Sequence, residues 1–266
     1  MKQKYKWFIG AMIAGVLGMG ATSCVDEIKF GNSFLEKAPG GSATQDTIFN
    51  SVTYTRQFLN TCYSRQYYGL PYVNSSVDDF PDSSNPYTGK FDALTDCWQL
   101  HYSGTTIYNS YYSGTHTANY GVRGDIFGYT REGVWQTVRW CWLLLENVDR
   151  VPGMGEDEKV QMKAEAKCLI AARYFDMFRH YGGLPLIYSS FTGTETNYQF
   201  PRATVEETVN YMDKMLEEAI GSGGLKWSYE GADFNSDGGH WTLAGAMALR
   251  CKLWQFAASP LFNDTQ

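Results

Sequence analysis

Apolar residues recur at the three-and-four spacing of an amphipathic helix in five stretches of the chain, and this pattern predicts a helical protein. In the first stretch, Ser42-x-x-Gln45 has the form of a capping box and Ile48, Val52, Leu59, Cys62 and Tyr63 follow in register, until Gly69-Leu70-Pro71 stops the run. The second carries Val134, Val138, Cys141, Leu145 and Val148, with Trp135 and Trp142 widening the stripe as core residues. After a break at "VPGMGEDE", Ala166, Ile170, Tyr174, Met177, Phe178 and Tyr181 share one face. Gly182 is placed to take a left-handed conformation past the last turn, and Pro185 forbids continuation. The fourth opens with Thr204 as N-cap and Glu207 three residues on, buries Val205, Val209, Met212, Leu216 and Ile220, and stops at Gly221. The fifth is the alanine-rich "HWTLAGAMALRCKLWQFAAS", broken at Pro260. Short connections favour antiparallel neighbours. The expected fold class is mostly α: tetratricopeptide-like stacked helical hairpins with long irregular loop insertions, although the 34-residue repeat signature is not cleanly present.

Residues 70–130 keep neither a helical nor a strand period. They are dense in Gly, Ser, Thr, Asn and Tyr. Disordered segments are normally poor in aromatics, so this one reads as an ordered, loop-rich aromatic surface. The whole chain holds 8 Trp, 19 Tyr and 15 Phe, more than a core needs. A sugar ring has an apolar face, which aromatic planes match, and a rim of hydroxyls, which Asp, Asn and Arg match. Trp98, Tyr102, Tyr108, Tyr111 and Tyr112 are candidate planes, and Asp78, Asp79, Asn109 and Arg123 are candidate hydrogen-bonding groups. Trp227 and Tyr229, in a later loop, are secondary candidates. The competing reading is that many of these tyrosines simply cover the helical stack.

Ahead of the helices, Lys2, Lys4 and Lys6 precede an apolar run from Trp7 to Met19. That run is too short to span a bilayer, which takes about 20 residues, but it suits a signal peptide. Ala21, Thr22 and Ser23 then lead to Cys24, which resembles the lipobox of bacterial lipoproteins, with Ala21 where leucine is usual. The expectation is a signal peptide over 1–23, an acylated Cys24 opening a tether over 24–41, and one helical domain over 42–266. The alternative is an ordinary signal cut near Ala21. Two or more acyl chains hold a protein stably on a membrane. Asp26 and Glu27 resemble the surface-export signal of Bacteroidetes lipoproteins. Removal of 1–23 takes three lysines and no acids, moving the formal charge from −6 to −9. Such acidity argues against nucleic acid as a partner, because phosphate neutralisation by Lys and Arg drives that binding. Cys62, Cys97, Cys141, Cys168 and Cys251 form no C-x-x-C pair and read mostly as free thiols.

Catalytic signatures are missing from the sequence. His101, His116, His180 and His240 are scattered, with neither H-E-x-x-H nor G-x-S-x-G present. Asp78 and Asp79 are adjacent, whereas glycosidase carboxylates flank a bond about 5 to 9.5 Å apart. "DFNSDG" opens like a calcium loop, but position 244, where the bidentate Glu belongs, is Ala. It reads as a polar turn. No cofactor, no calcium and no enzyme activity are expected.

Three passages together resemble the SusD/RagB family: "MKAEAKCLIAARYFDMFRHYGGLPLI", "FPRATVEETVNYMDKMLEEAI" and "GGHWTLAGAMALRCKLWQFAASPLFND". The cysteine followed by "FLEKAPGGSATQDTIFNS" fits the family's N-terminus. Family members are about twice as long, so the resemblance implies an N-terminal part whose binding site is completed elsewhere. It further implies an outer-membrane lipoprotein facing the cell exterior, which captures oligosaccharides and delivers them to a SusC-like TonB-dependent transporter. The alternatives are a peptide-capturing RagB-type lipoprotein and a helical interaction module without a small ligand.

Overall fold

The computed structural model describes residues 44–64, 96, 113–115, 132–191, 195 and 197–263. Its helices, all within the unit Gln45–Gln266, are α1 (Gln45–Phe49), α2 (Val52–Ser64), α3 (Glu132–Asn147), α4 (Glu156–Tyr181), α5 (Val205–Gly221), α6 (Ala232–Asp237) and α7 (Leu243–Ala257). A 3-10 turn, Val148–Arg150, extends α3, and no strand occurs among the described residues. The mostly helical, hairpin-stacked class is therefore as expected. No described helix is long and apolar enough to cross a membrane.

α4 is the centre of the fold. It packs against α2, α3, α5 and α7, and from Ala164 to Phe178 it is buried almost all round, including Glu165, Arg173 and Asp176. The sequence stripe marked one face only. The second stripe behaves as read: Val134, Val138, Cys141 and Val148 are buried, while Trp135 and Trp142 are partly buried against the core. Trp142 spends its indole N–H on the carbonyl of Ile187 at 3.0 Å.

The first expected helix is two. Asn50 and Ser51 separate α1 from α2, and the Thr55 hydroxyl donates to the carbonyls of Ile48 and Ser51 at 3.0 and 2.9 Å. In an unbroken helix Phe49 would lie about 100° round from Ile48, off the apolar stripe. The break instead buries Phe49 to 1% exposure, edge-on to Phe58 at 5.6 Å. At the far end of α5, Gly221 is helical and the left-handed stop falls to Gly223, with φ of +73°. The "DFNSDG" stretch winds into α6 in place of a polar turn, and Asp233 pairs with Lys226 at 2.7 Å.

Two of the sequence motifs interlock. Gly182 has φ of +70° as its position demands, though ψ of −132° places it outside the left-handed helical well. At Gly183 a Cβ would stand 2.0 Å from the carbonyl oxygen of Ala203, so only glycine fits. Arg202 donates from Nη2 to the carbonyl of Tyr181, one of those that the end of a helix leaves orphaned, and from Nε to that of Gly183 in the turn beyond. Two residues on, Thr204 and Glu207 form the full capping box that opens α5. Thr208 completes the knit by accepting from the Leu184 N–H at 3.1 Å.

Candidate functional site

A cleft of about 360 Å³ opens where the end of α2, the second half of α4 and the start of α7 meet. Tyr63 reaches it from α2; Phe175, Asp176 and Arg179 come from α4; His240 and Trp241 come from the α6–α7 connection; Lys252 comes from α7. Helical spacing explains the α4 set, since residues 172, 175, 176 and 179 are successive neighbours on one face.

A buried hub holds the cleft floor. Glu165, fully buried, accepts from the Tyr63 hydroxyl at 2.7 Å, from Gln161 at 2.8 Å and from His240 Nδ1 at 2.9 Å. The Tyr63 oxygen in turn accepts from the Trp241 N–H at 2.7 Å. His240 stacks on Tyr63 with ring centroids 4.4 Å apart, and its Nε2 meets Asn60 Oδ1 at 3.1 Å. Burial works against a charged His240, but the hydrogen bond and charge of Glu165, helped by Asp237, outweigh it and hold the imidazole above its ordinary pKa. Burial, reinforced by Glu165, pushes the Tyr63 hydroxyl far up, so it stays protonated and keeps donating.

The cleft wall is charged. Arg179 Nη2 donates to Asp176 Oδ1 at 2.6 Å. Asp176 is 8% exposed, and burial lifts its carboxyl above the usual range despite the opposing pull of Arg179, Arg173 and Lys252. The guanidinium carbon of Arg179 and Nζ of Lys252 lie 5.3 and 5.8 Å from the centroid of one ring, Phe175. Among the described residues no group of three or more His, Cys, Asp or Glu side chains is arranged to hold a metal ion.

Of the site residues predicted from sequence, Asp78, Asp79, Trp98, Tyr102, Tyr108, Asn109, Tyr111, Tyr112 and Arg123 lie outside the described residues, as do Cys24 and Cys97. Trp227 is 64% exposed on the α5–α6 connection and does not line the cleft. Its neighbour Tyr229 is buried, with its hydroxyl between Gln161 and the Trp241 carbonyl, so it is a core residue. The sequence reasoning passed over Asp176, Arg179, His240, Trp241 and Lys252. The available signal was two charges set inside the apolar run "RYFDMFRHY", together with an aromatic and a histidine just before the alanine-rich helix.

No protein-family model and no curated protein matches the chain. Solved structures do. A SusD-like protein from Bacteroides fragilis superposes with a TM-score of 0.55 over 80% of this chain and 37% of its own, at 21% identity. A SusD-like carbohydrate binding protein from the same species gives 0.56 over 79% of this chain and 38% of its own, at 20% identity. A SusD superfamily protein from Bacteroides thetaiotaomicron gives 0.58 over 80% and 45%, at 16% identity. The chain thus spans about two fifths of the length of these structures. Over about four fifths of its length the chain has the SusD-like fold.

Proposed function

We propose that the chain is part of a cell-surface lipoprotein that captures oligosaccharides and passes them to a SusC-like TonB-dependent transporter. It binds and does not catalyse, and it uses no metal or cofactor. The observation that carries the reading is a cleft with aromatic and charged walls on a SusD-like fold; one solved structure of that fold is described as a carbohydrate binding protein. Sugar recognition calls for that mixture: flat apolar faces against ring C–H groups, and charged or amide groups against hydroxyls. The tyrosine-rich stretch 70–130 follows α2 in the chain, and α2 ends at Ser64, one residue beyond the cleft-lining Tyr63. In this proposal Trp98 and its neighbouring tyrosines supply further platforms, and acylated Cys24 holds the protein on the outer membrane.

The test is titration of the full chain with a broad glycan panel, read by tryptophan fluorescence. Binding of one glycan class is expected, with Trp98→Ala or Trp241→Ala costing about 1 to 3 kcal/mol of affinity, the scale of one lost stacking platform. A flat response across the panel refutes the reading. Cys24→Ser is expected to release the protein from membranes or leave its precursor uncut; unchanged membrane retention refutes the anchor.

A further inference from the structure

We infer that the cleft between α4 and α7 selects acidic sugars, holding a uronate carboxylate between Arg179 and Lys252 while the sugar ring lies on Trp241. This rests on the oligosaccharide reading and narrows its substrate class.

Charge in this cleft runs against the grain of the chain. The protein carries a formal charge of −6, yet this cleft gathers two cations over a single aromatic ring. A cation within about 6 Å of a ring face is attracted to it, so Phe175 draws both side chains toward the cleft they line. Their one nearby counter-charge on that wall is Asp176, which is tied to Arg179 Nη2 and is itself desolvated. Arg179 Nε is buried and has no hydrogen-bond partner. Lys252 is exposed, and its ammonium makes no ion pair with any described residue. His240 offers the ligand no free donor, because its ring nitrogens are already committed to Glu165 and Asn60. A carboxylate supplies what is missing: two acceptor oxygens in a plane, matched to an arginine fork and a lysine point charge.

Space and surface agree with a sugar as the bearer of that carboxylate. Trp241 is half-buried and lines the cleft beside Gly245, so part of its indole is open to a sugar ring. A volume of about 360 Å³ falls at the small end of ligand sites, which run from about 300 to 1,000 Å³, and suits one or two sugar rings.

Isothermal titration of the full chain with trigalacturonate, its fully methyl-esterified form, galactotriose and a short acidic peptide decides the matter. Trigalacturonate is expected to bind at least about tenfold more tightly than the other three, the scale of one charge-assisted hydrogen bond, and to weaken as salt rises from about 50 to about 300 mM. Lys252→Gln, at an exposed helical position, is expected to lower trigalacturonate affinity about tenfold with an unchanged melting temperature. Equal affinity for the ester, or no effect of Lys252→Gln, overturns the acidic-sugar inference while leaving oligosaccharide capture standing. Preference for the peptide overturns it too. Failure of every glycan, in this set and in the broad panel, removes both.

Discussion

Arg202 donates through Nε to the carbonyl of Gly183 at 2.5 Å, so the segment that enters α5 also closes the end of α4. Two sequence motifs that are 19 residues apart at this bond form one structural unit. Arg202→Ala is expected to destabilise the fold by about 2 kcal/mol, the scale of hydrogen bonds from a charged donor. Urea denaturation checks this; an unchanged midpoint would show the clasp to be dispensable.

Glycines in this fold separate cleanly by what a methyl group would meet. Gly183→Ala drives a Cβ to 2.0 Å from the Ala203 oxygen and is expected to cost about 3 kcal/mol, at the upper end of overpacking. Gly221→Ala meets nothing within 4 Å in a helical position and is expected to stabilise by about 0.5 to 1 kcal/mol. Opposite shifts of the thermal midpoint would bear out the contrast.

Tyr63→Phe removes the hydroxyl that donates to buried Glu165 and accepts from the Trp241 N–H. Leaving both groups short of a partner is expected to cost about 1 to 3 kcal/mol. A broadened Trp241 indole signal in the NMR spectrum of the variant is the companion expectation, because the backbone at the cleft loses its tether.

Stability should fall with rising pH through His240. Its pKa in the folded protein is held above the ordinary 6.5, so the contribution is fully present below about 6.5, the unfolded value. It is lost as pH climbs through the folded pKa. Urea midpoints measured from about pH 6 to about pH 9 should decline in the parent chain and lose that component in His240→Gln. An identical pH profile in the variant would remove His240 from the account.

Thiol chemistry offers a map of the core. Cys62, Cys141 and Cys168 are buried free thiols and Cys251 is exposed. Its hydrogen bond with Cys62, together with burial, pushes the Cys141 thiol well up, and burial raises Cys168. Iodoacetamide on the native protein, followed by peptide mass mapping, should label Cys251 promptly and the other three only after denaturation.

Local chemistry was legible in the sequence. The Thr204–Glu207 box and the positive φ at Gly182 each depend on residues within a turn of one another, and both are present. The break at Asn50–Ser51 was not legible, because it exists to place Phe49 against Phe58 and the core. Nor was the depth at which α4 sits. Glu165, Arg173 and Asp176 look like a solvated face along the chain, yet the partner that buries Glu165 comes from Tyr63, 102 residues earlier. The same holds for the cleft: His240 looked isolated until folding brought it to Glu165.

Glu165 draws its three donors from three different stretches of chain: the end of α2, its own helix and the approach to α7. A vacancy among them leaves an enclosed carboxylate short of a donor, which costs stability. Tyr63, Gln161, Glu165 and His240 therefore form one structural quartet, in which each donor's loss is felt at the same carboxylate. Any engineering that retunes the mouth at Trp241 inherits that quartet as its foundation.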